Sequence, residues 1–236
     1  MNTIDLEMRL LTLVISYLMG SFLTAEVVTR KLTGKPCKEL GTTGNPGMAN
    51  VMAHLGFKPG ITVLIGDVLK VVIAMRITRF CLPVFVEMTM NGYALSTYGT
   101  ALHAKELWNP VLLYYVALGC CIGHNYPFWQ VKNGGKGVAV TNSSMILIQP
   151  LWGLLSNIIG MLIVFASQYL GLGAVVIPAI FIVPAFVFDG LEAGIVAVIL
   201  EVLMIIRNVA FLKQIPSKEA ERVDVLGAIR KKLSKK

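Results

Sequence analysis

Two glycine-rich polar segments are the places in this chain where residue types and spacing could do chemistry. The first runs from Gly41 to Asn50 and the second from Asn133 to Gly137. Glycine lets backbone N–H groups turn inward and form a concave site for an anion. Each segment alone could be an ordinary turn or loop, but the two together predict a phosphate site.

The polar side chains of these segments suit an anion as well. Thr43, Asn45 and Asn50 supply neutral hydrogen-bond donors, and Lys38 adds a positive charge just before them. Lys136 lies between glycines at the start of an apolar stretch, where its ammonium and the dipole of a helix would act together. The second segment is not a nucleotide-binding P-loop, because residue 130 is Gln and Gly137 replaces the required Ser or Thr.

Asp67 and Lys70 lie inside an apolar stretch. Three residues apart on a helix, they share a face and are expected to pair. Ionisable groups inside a membrane span are usually functional. The alternative is that Asp67 only neutralises Lys70 near the end of the helix.

Several kinds of catalytic site are excluded by what the chain lacks. Histidine occurs only at 54, 103 and 124, and none is followed five residues later by Asp, so the His-x4-Asp acyltransferase pattern is missing. The aspartates are too few for a carboxylate–metal cluster, and the four cysteines form no CxxC pair. We therefore expect no metal, no cofactor and reduced thiols.

The elements that position these segments are apolar helices. Hydrophobic residues make up 56% of the chain and charged residues 14%, with a mean hydropathy of +0.72, whereas a soluble domain carries about 25% charged residues. Apolar stretches cover about 8–29, 60–80, 108–126 and 138–207, the last divided near 149–150, 171–173 and 189–190. The chain is predicted to be all-α, a polytopic membrane bundle of about seven transmembrane helices. The first stretch is interpreted as a retained helix, not a signal peptide.

The distribution of lysine and arginine predicts the orientation of the bundle. Basic residues follow the first and third spans and fill the C-terminal tail, which places the N-terminus outside and the C-terminus in the cytoplasm. The prediction is a bundle over residues 1–206, with cytoplasmic loops 30–59 and 127–137, and a basic cytoplasmic tail over 207–236. In a membrane protein such a tail indicates contact with anionic lipids and not with nucleic acid.

The motifs together resemble those of the bacterial acyl-phosphate:glycerol-3-phosphate acyltransferase family, the PlsY type. Thr-Gly-Asn-Pro-Gly-Met-Ala-Asn-Val, from Thr43 to Val51, is similar to the family's first motif, and Asp67-Val68-Leu69-Lys70 follows at the expected distance. Gly123–Phe128 with Gly134–Ala139 is similar to its second motif, and Tyr17–Ser21 to its opening helix. The similarity covers nearly the whole chain.

This resemblance implies an enzyme of phospholipid biosynthesis in the bacterial cell (inner or plasma) membrane. It would transfer an acyl group from acyl-phosphate to glycerol 3-phosphate, giving lysophosphatidic acid, with membrane lipids as its surroundings. The implied catalytic residues are Thr43, Asn45 and Lys136. The implied substrate-binding residues are Lys38, Gly44, Gly47, Asn50, Asp67, Lys70, His124, Gly134, Gly135, Gly137 and Asn208.

The chain also departs from the family pattern. Ala53 stands where the family has an arginine after its first motif, and the third motif survives only as Asn208-Val209. Ile205, Phe211 and Ser217 replace the histidine, arginine and glutamate of that motif. These departures leave two alternatives open: a non-catalytic homologue that binds a lipid phosphate, or a small transporter of organic anions.

Overall fold

The computed structural model describes residues 3–41, 43–90 and 107–217, and these residues form helices and connecting turns without a strand. The helices, in chain order, are α1 (Thr3–Gly20), α2 (Thr24–Thr33), α3 (Met48–Leu55), α4 (Phe57–Arg76), α5 (Leu82–Met90), α6 (Leu112–Asn125), α7 (Val138–Ile148), α8 (Pro150–Ser167) and α9 (Leu170–Gln214). One π-helical turn, Ile77–Cys81, joins α4 to α5, and short 3₁₀ turns lie at Cys37–Glu39 and Val131–Asn133. The prediction of an all-α chain is confirmed for this part.

Within residues 3–41, 43–90 and 107–217, three helical segments are long and apolar enough to cross a membrane. They are Asp5–Thr33, which includes α1 and α2, together with Pro150–Ser167 and Leu170–Gln214. Gly190 interrupts the last of these with a φ of 89°, so α9 consists of two helices in succession. Each of the three segments is about 20 residues long or longer, which is enough to cross a bilayer about 30 Å thick. α6 and α7 are shorter apolar helices.

The predicted spans agree with these helices in part. The predicted breaks near 149–150 and 189–190 coincide with Gln149 and Gly190. The break predicted near 171–173 is present but lies slightly earlier: the chain turns at Gln168, which has a φ of 63°, and Gly171 lies inside α9 against the ring of Phe211. A glycine that makes room for a distant ring is indistinguishable in sequence from one that ends a helix.

The first two predicted spans also differ from the structure. The stretch 8–29 is interrupted between α1 and α2, where Leu23 is extended. The stretch 60–80 does not end at 80 but continues through the π-helical turn into α5. Residues 91–106, and residues 218–236 of the predicted tail, lie outside the described residues. α9 runs to Gln214, beyond the predicted start of that tail at 207.

The chain forms two compact units, Met1–Ile148 and Gln149–Lys236. In the first unit, α1 and α6 pack closely because small residues meet where they cross. A Cβ on Gly123 of α6 would overlap the carbonyl oxygen of Tyr17 and approach Ser21 N at 2.8 Å, and one on Gly119 would approach Leu13 O at 2.8 Å. Small residues four apart are a common basis for helix association in membranes.

Two apolar clusters complete the core of the first unit. Met8, Leu82, Val86 and Leu112 join α1, α5 and α6. The second cluster joins α2, the 3₁₀ turn at Cys37–Glu39, α3 and α4 through Ala25, Cys37, Val51 and Val63. The second cluster therefore attaches the first glycine-rich segment to the helices on either side of it.

The second unit is an α8–α9 pairing. Gly160 of α8 makes room for Ile177 of α9, and the rings of Trp152 and Phe188 stack with centroids 5.2 Å apart. The Gln149 amide donates a hydrogen bond to the Asp189 carboxylate just before the interruption at Gly190. The ring of Phe211 meets that of Tyr169 edge-on.

The α1–α6 crossing predicts that Gly123→Ala destabilises the protein. The added methyl group would meet backbone atoms of α1, and overpacking of this kind costs about 1–3 kcal/mol. The helix propensity that alanine gains is at most about 1 kcal/mol. Thermal unfolding in detergent should therefore show a lower midpoint for Gly123→Ala than for the unchanged protein.

Gly173→Ala is the matched control, because its Cβ would meet a side-chain methyl of Val164 at 3.0 Å instead of backbone. That variant should unfold at nearly the original temperature. Equal midpoints for the two variants would contradict the close crossing.

Candidate functional site

The interruption between α1 and α2 leaves backbone carbonyls without helical partners, and two side chains from other elements bind them. The Lys70 ammonium of α4 donates to Gly20 O at 3.2 Å and to Phe22 O at 3.0 Å. The Trp129 indole N–H donates to Ser21 O at 2.8 Å. Three consecutive carbonyl groups are thus satisfied by residues distant in sequence.

Lys70 belongs to a buried network with Asp67 and His124. Its Nζ lies 2.7 Å from His124 Nδ1 and 3.0 Å from Asp67 Oδ1. Lys70 is 3% exposed, Asp67 1% and His124 4%. Because an ammonium group only donates, Nδ1 is the acceptor and the imidazole proton is on Nε2. The predicted Asp67–Lys70 pair is therefore present, and its side chains contact protein groups.

The second glycine-rich segment packs against the end of α6. Gly135 N donates to His124 O at 2.9 Å. A Cβ on Gly134 would overlap Asn125 O, and one on Gly135 would overlap the His124 ring. Gly137 has a φ of 78° and lies against Asn125 Oδ1 and Cys121 Sγ. These three glycines are required because no side chain could fit so close to α6.

Lys136, in contrast, is half-buried and lies two residues before α7 begins. The first N–H groups of a helix carry no internal partner, and its dipole favours an anion there. Gly137 O already accepts the Thr141 N–H, so the helix is formed directly from the loop. The anion-binding role of the segment stays a prediction.

The first glycine-rich segment folds onto itself beside α3. Asn50 Nδ2 donates to Leu40 O at 3.0 Å, and Thr43 Oγ1 donates to Asn50 Oδ1 at 3.3 Å. Asn45 N donates to Thr43 Oγ1 at 3.4 Å. Gly44 has a φ of 55° and lies on the backbone of Lys38, whose side chain is exposed. This places the hydroxyl of Thr43 and the amide of Asn45 on one exposed turn.

Gly47 is the N-terminal cap of α3, and no side chain caps this helix. Its N–H donates to Asn45 O at 2.9 Å, so the turn leads directly into α3. Gly60 of α4 packs under Met52 of α3. The same helix carries Lys70, ten residues and about 15 Å further along its axis. One helix thus supports both glycine-rich segments.

Glu26 attaches the first segment to α2. Glu26 Oε2 accepts the Cys37 N–H at 2.8 Å, and Oε1 pairs with Arg30 Nε at 2.6 Å. Cys37 is fully buried in the second apolar cluster. Burial raises the pKa of the Cys37 thiol, and the nearby Glu26 carboxylate raises it further.

Asn208 lies in the second unit, on α9. It is buried, its Nδ2 donates to Met204 O at 2.9 Å, and its Oδ1 has no hydrogen-bond partner. The other predicted site residues all lie in the first unit. They form two groups, one around the first segment and one around Lys70 and the second segment.

Sequence reasoning missed the contact of Trp129 with Ser21 and the contacts of Glu26 with Cys37 and Arg30. The spacing of Trp129 from Ser21 gives no signal, because the contact joins residues 108 apart. Among the described residues, no group of three or more His, Cys, Asp or Glu side chains could hold a metal ion.

Fold and site together define a helical membrane-type protein with two glycine-rich segments, the second of which lies beside a buried Asp67–Lys70–His124 network. The family profile for glycerol-3-phosphate acyltransferase matches residues 10–217. The chain belongs to the glycerol-3-phosphate acyltransferase family, which confirms the resemblance seen in its motifs.

Similar proteins match over nearly their full length. "Glycerol-3-phosphate acyltransferase 1" of Lactobacillus johnsonii is 32% identical over 222 residues, covering 94% of this chain and 96% of the relative. Its counterpart in Lactobacillus acidophilus is 30% identical over 225 residues, covering 95% and 97%. The crystal structure of an integral membrane glycerol 3-phosphate acyltransferase in its glycerol 3-phosphate form has a TM-score of 0.69 at 23% identity, covering 94% of this chain and 98% of that one. It shares the fold of this chain.

The Glu26 contacts predict that Cys37 is protected from thiol reagents only while Glu26 is present. A raised pKa means that the thiol keeps its proton above the usual range, so little reactive thiolate forms at pH 8. In a variant with Cys37 as the sole cysteine, Glu26→Ala should speed maleimide labelling at least about tenfold, as expected for the loss of one hydrogen bond to a charged group.

Glu26→Gln is the control, because its amide oxygen still accepts the Cys37 N–H. Labelling in that variant should rise only through the loss of the carboxylate charge and should stay well below the rate in Glu26→Ala. Equal rates in the two variants would show that Glu26 does not hold the segment.

Proposed function

We propose that this protein is a multi-pass enzyme of the cell membrane that makes lysophosphatidic acid. It transfers a fatty acyl group from acyl-phosphate to the 1-hydroxyl of glycerol 3-phosphate. Family membership across residues 10–217 is the observation that carries the acyltransferase activity. The two glycine-rich segments support the choice of two substrates that each carry a phosphate.

The reaction requires little covalent chemistry from the side chains of the protein. An acyl-phosphate is already activated, so the acceptor hydroxyl adds to the carbonyl carbon and the phosphate leaves with the hydroxyl proton. Negative charge develops on the carbonyl oxygen and the departing phosphate. Preorganised donors aimed at such charge are usually the largest single contribution to catalysis.

Lys136 is assigned the main catalytic role. Its ammonium group precedes α7, so it acts together with the free N–H groups of that helix on the departing phosphate. Thr43 and Asn45 supply neutral donors from the first segment. Acyl chains would lie along the apolar helices.

The acceptor phosphate is assigned to the first segment. Lys38 is exposed there, and Gly44, Gly47 and Asn50 shape the turn that presents Thr43. Asn208 remains a proposed binding residue from α9. The remaining predicted binding residues act on substrate indirectly, by holding Lys136 in place. They are Asp67, Lys70, His124 and the second-segment glycines Gly134, Gly135 and Gly137.

The departures from the family pattern decide how efficient the enzyme is, not its class. Ala53 is exposed on α3, and Phe211 is packed against Tyr169 and Gly171. Each lost arginine removes a charge-assisted hydrogen bond, which typically contributes about 1.5–3 kcal/mol. Weaker binding of the acceptor than in relatives with these arginines is expected.

The proposed reaction is tested with purified protein, acyl-phosphate and glycerol 3-phosphate, by measuring lysophosphatidic acid. Lys136→Ala should lower kcat about 10²–10³-fold, the usual loss for one preorganised donor. Lys132→Ala is the matched control, because this exposed lysine lies in the same connection and should leave kcat unchanged.

Acyl-coenzyme A and acyl-carrier protein in place of acyl-phosphate test the donor. Product from these thioesters but not from acyl-phosphate would overturn the donor assignment. Phosphate-lipid binding without any product would favour the non-catalytic homologue.

We also propose the orientation with the N-terminus outside and both glycine-rich segments in the cytoplasm. Single cysteines at Lys136 and at Ser234, on a cysteine-free background, should both react with impermeant maleimide only after the cells are opened. A cysteine at position 2 should react in intact cells. Labelling of positions 136 and 234 from opposite sides would contradict this topology.

A further inference from the structure

Lys70 stands out because its charge is buried and its three N–H groups are all used on protein acceptors. It donates to Gly20 O, to Phe22 O and to His124 Nδ1. Asp67 Oδ1, 3.0 Å away, balances the charge. A side chain with every donor committed and 3% exposure is not placed to bind a ligand directly.

These acceptors belong to different parts of the first unit. Two are carbonyls of the α1–α2 interruption, and the third is on α6, while Lys70 itself is on α4. Lys70 is therefore the point at which the interruption, α4 and the end of α6 are joined. The Trp129 indole binds the carbonyl between the two that Lys70 binds, from the connection that follows α6.

His124 links Lys70 to the second glycine-rich segment. Its Nδ1 accepts from Lys70, which leaves the proton on Nε2 and fixes the ring orientation. The Nε2 edge of that ring occupies the space that a Cβ on Gly135 would need, and the His124 backbone oxygen accepts the Gly135 N–H at 2.9 Å. Gly135 immediately precedes Lys136.

We infer that Lys70 is a positioning residue for the acyl transfer, acting through His124 on the segment from Gly134 to Gly137. Asp67 is its counter-ion. The role of this network is to fix the direction of Lys136 and of the loop N–H groups, not to contact substrate. Only the kinetic test of this inference rests on the proposed function.

The direct test compares Lys70→Met with Thr24→Val. Methionine keeps the length of the side chain but removes its three donors. Thr24 is buried at the start of α2, and its hydroxyl has no hydrogen-bond partner, so valine preserves the packing and changes none of the contacts above. Amide hydrogen exchange of residues 133–137 should rise at least tenfold in Lys70→Met and stay unchanged in Thr24→Val.

Turnover provides the second readout. kcat should fall about a hundredfold in Lys70→Met while KM for acyl-phosphate changes little, because Lys70 does not touch substrate. Unchanged exchange and unchanged kcat in folded Lys70→Met would overturn the inference. If the unchanged protein shows no acyl transfer, the proposed function fails, and the exchange comparison alone still decides the role of Lys70.

A double-variant cycle with His124→Ala tests the route of the effect. If Lys70 acts through His124, the two substitutions together should lower kcat no more than the worse of the two alone. Additive losses would show that Lys70 acts independently of His124 and would overturn the route.

If Lys70→Met does not give a monodisperse protein in detergent, His124→Ala decides the question, because it removes the ring between Lys70 and Gly135 while the ion pair remains. Exchange of residues 133–137 must then rise in folded His124→Ala. Unchanged exchange in that variant would overturn the inference.

Discussion

The hydrogen bonds to three backbone carbonyls between α1 and α2 are the constraint on which the rest of the first unit depends. Gly20, Ser21 and Phe22 cannot complete helical hydrogen bonds, because Leu23 is extended. An unsatisfied backbone group in an apolar environment costs several kcal/mol. Lys70 and Trp129 supply the missing donors, so both must be held where the carbonyls are. The α1–α6 crossing and the Asp67 counter-charge serve that requirement.

The glycines of the second segment illustrate how close packing can resemble a ligand-binding loop in sequence. Gly134, Gly135 and Gly137 were predicted to bind phosphate, whereas in the structure each lies against Asn125, His124 or Cys121. Close packing of glycines and binding of an anion are compatible here. Glycines packed this closely against α6 restrict the position of the loop, and a fixed loop is what preorganisation requires.

Much of the helical layout could be predicted from local chemistry. Pro150 after Gln149, and Asp189-Gly190, are turn signals that act locally, and both breaks are present. The Asp67–Lys70 pair follows from its spacing of three on a helix. The interruption after Gly20 could not be predicted, because Ser-Phe-Leu carries no turn signal and its partners are about fifty and a hundred residues away. Contacts over such separations depend on the finished packing, and no local pattern reports them.

The same interruption has a consequence for the biogenesis of the protein. Lys70 and Trp129 are synthesised after residues 3–33, so the carbonyls of Gly20, Ser21 and Phe22 at first lack the partners that they have in the structure. The nascent segment Asp5–Thr33 is 29 residues long and apolar enough over part of that length to cross a membrane, so it could insert as one uninterrupted helix. Its break at 21–23 would then form only after α4 and the segment behind α6 arrive. The first helix would be remodelled late in assembly by residues synthesised long after it.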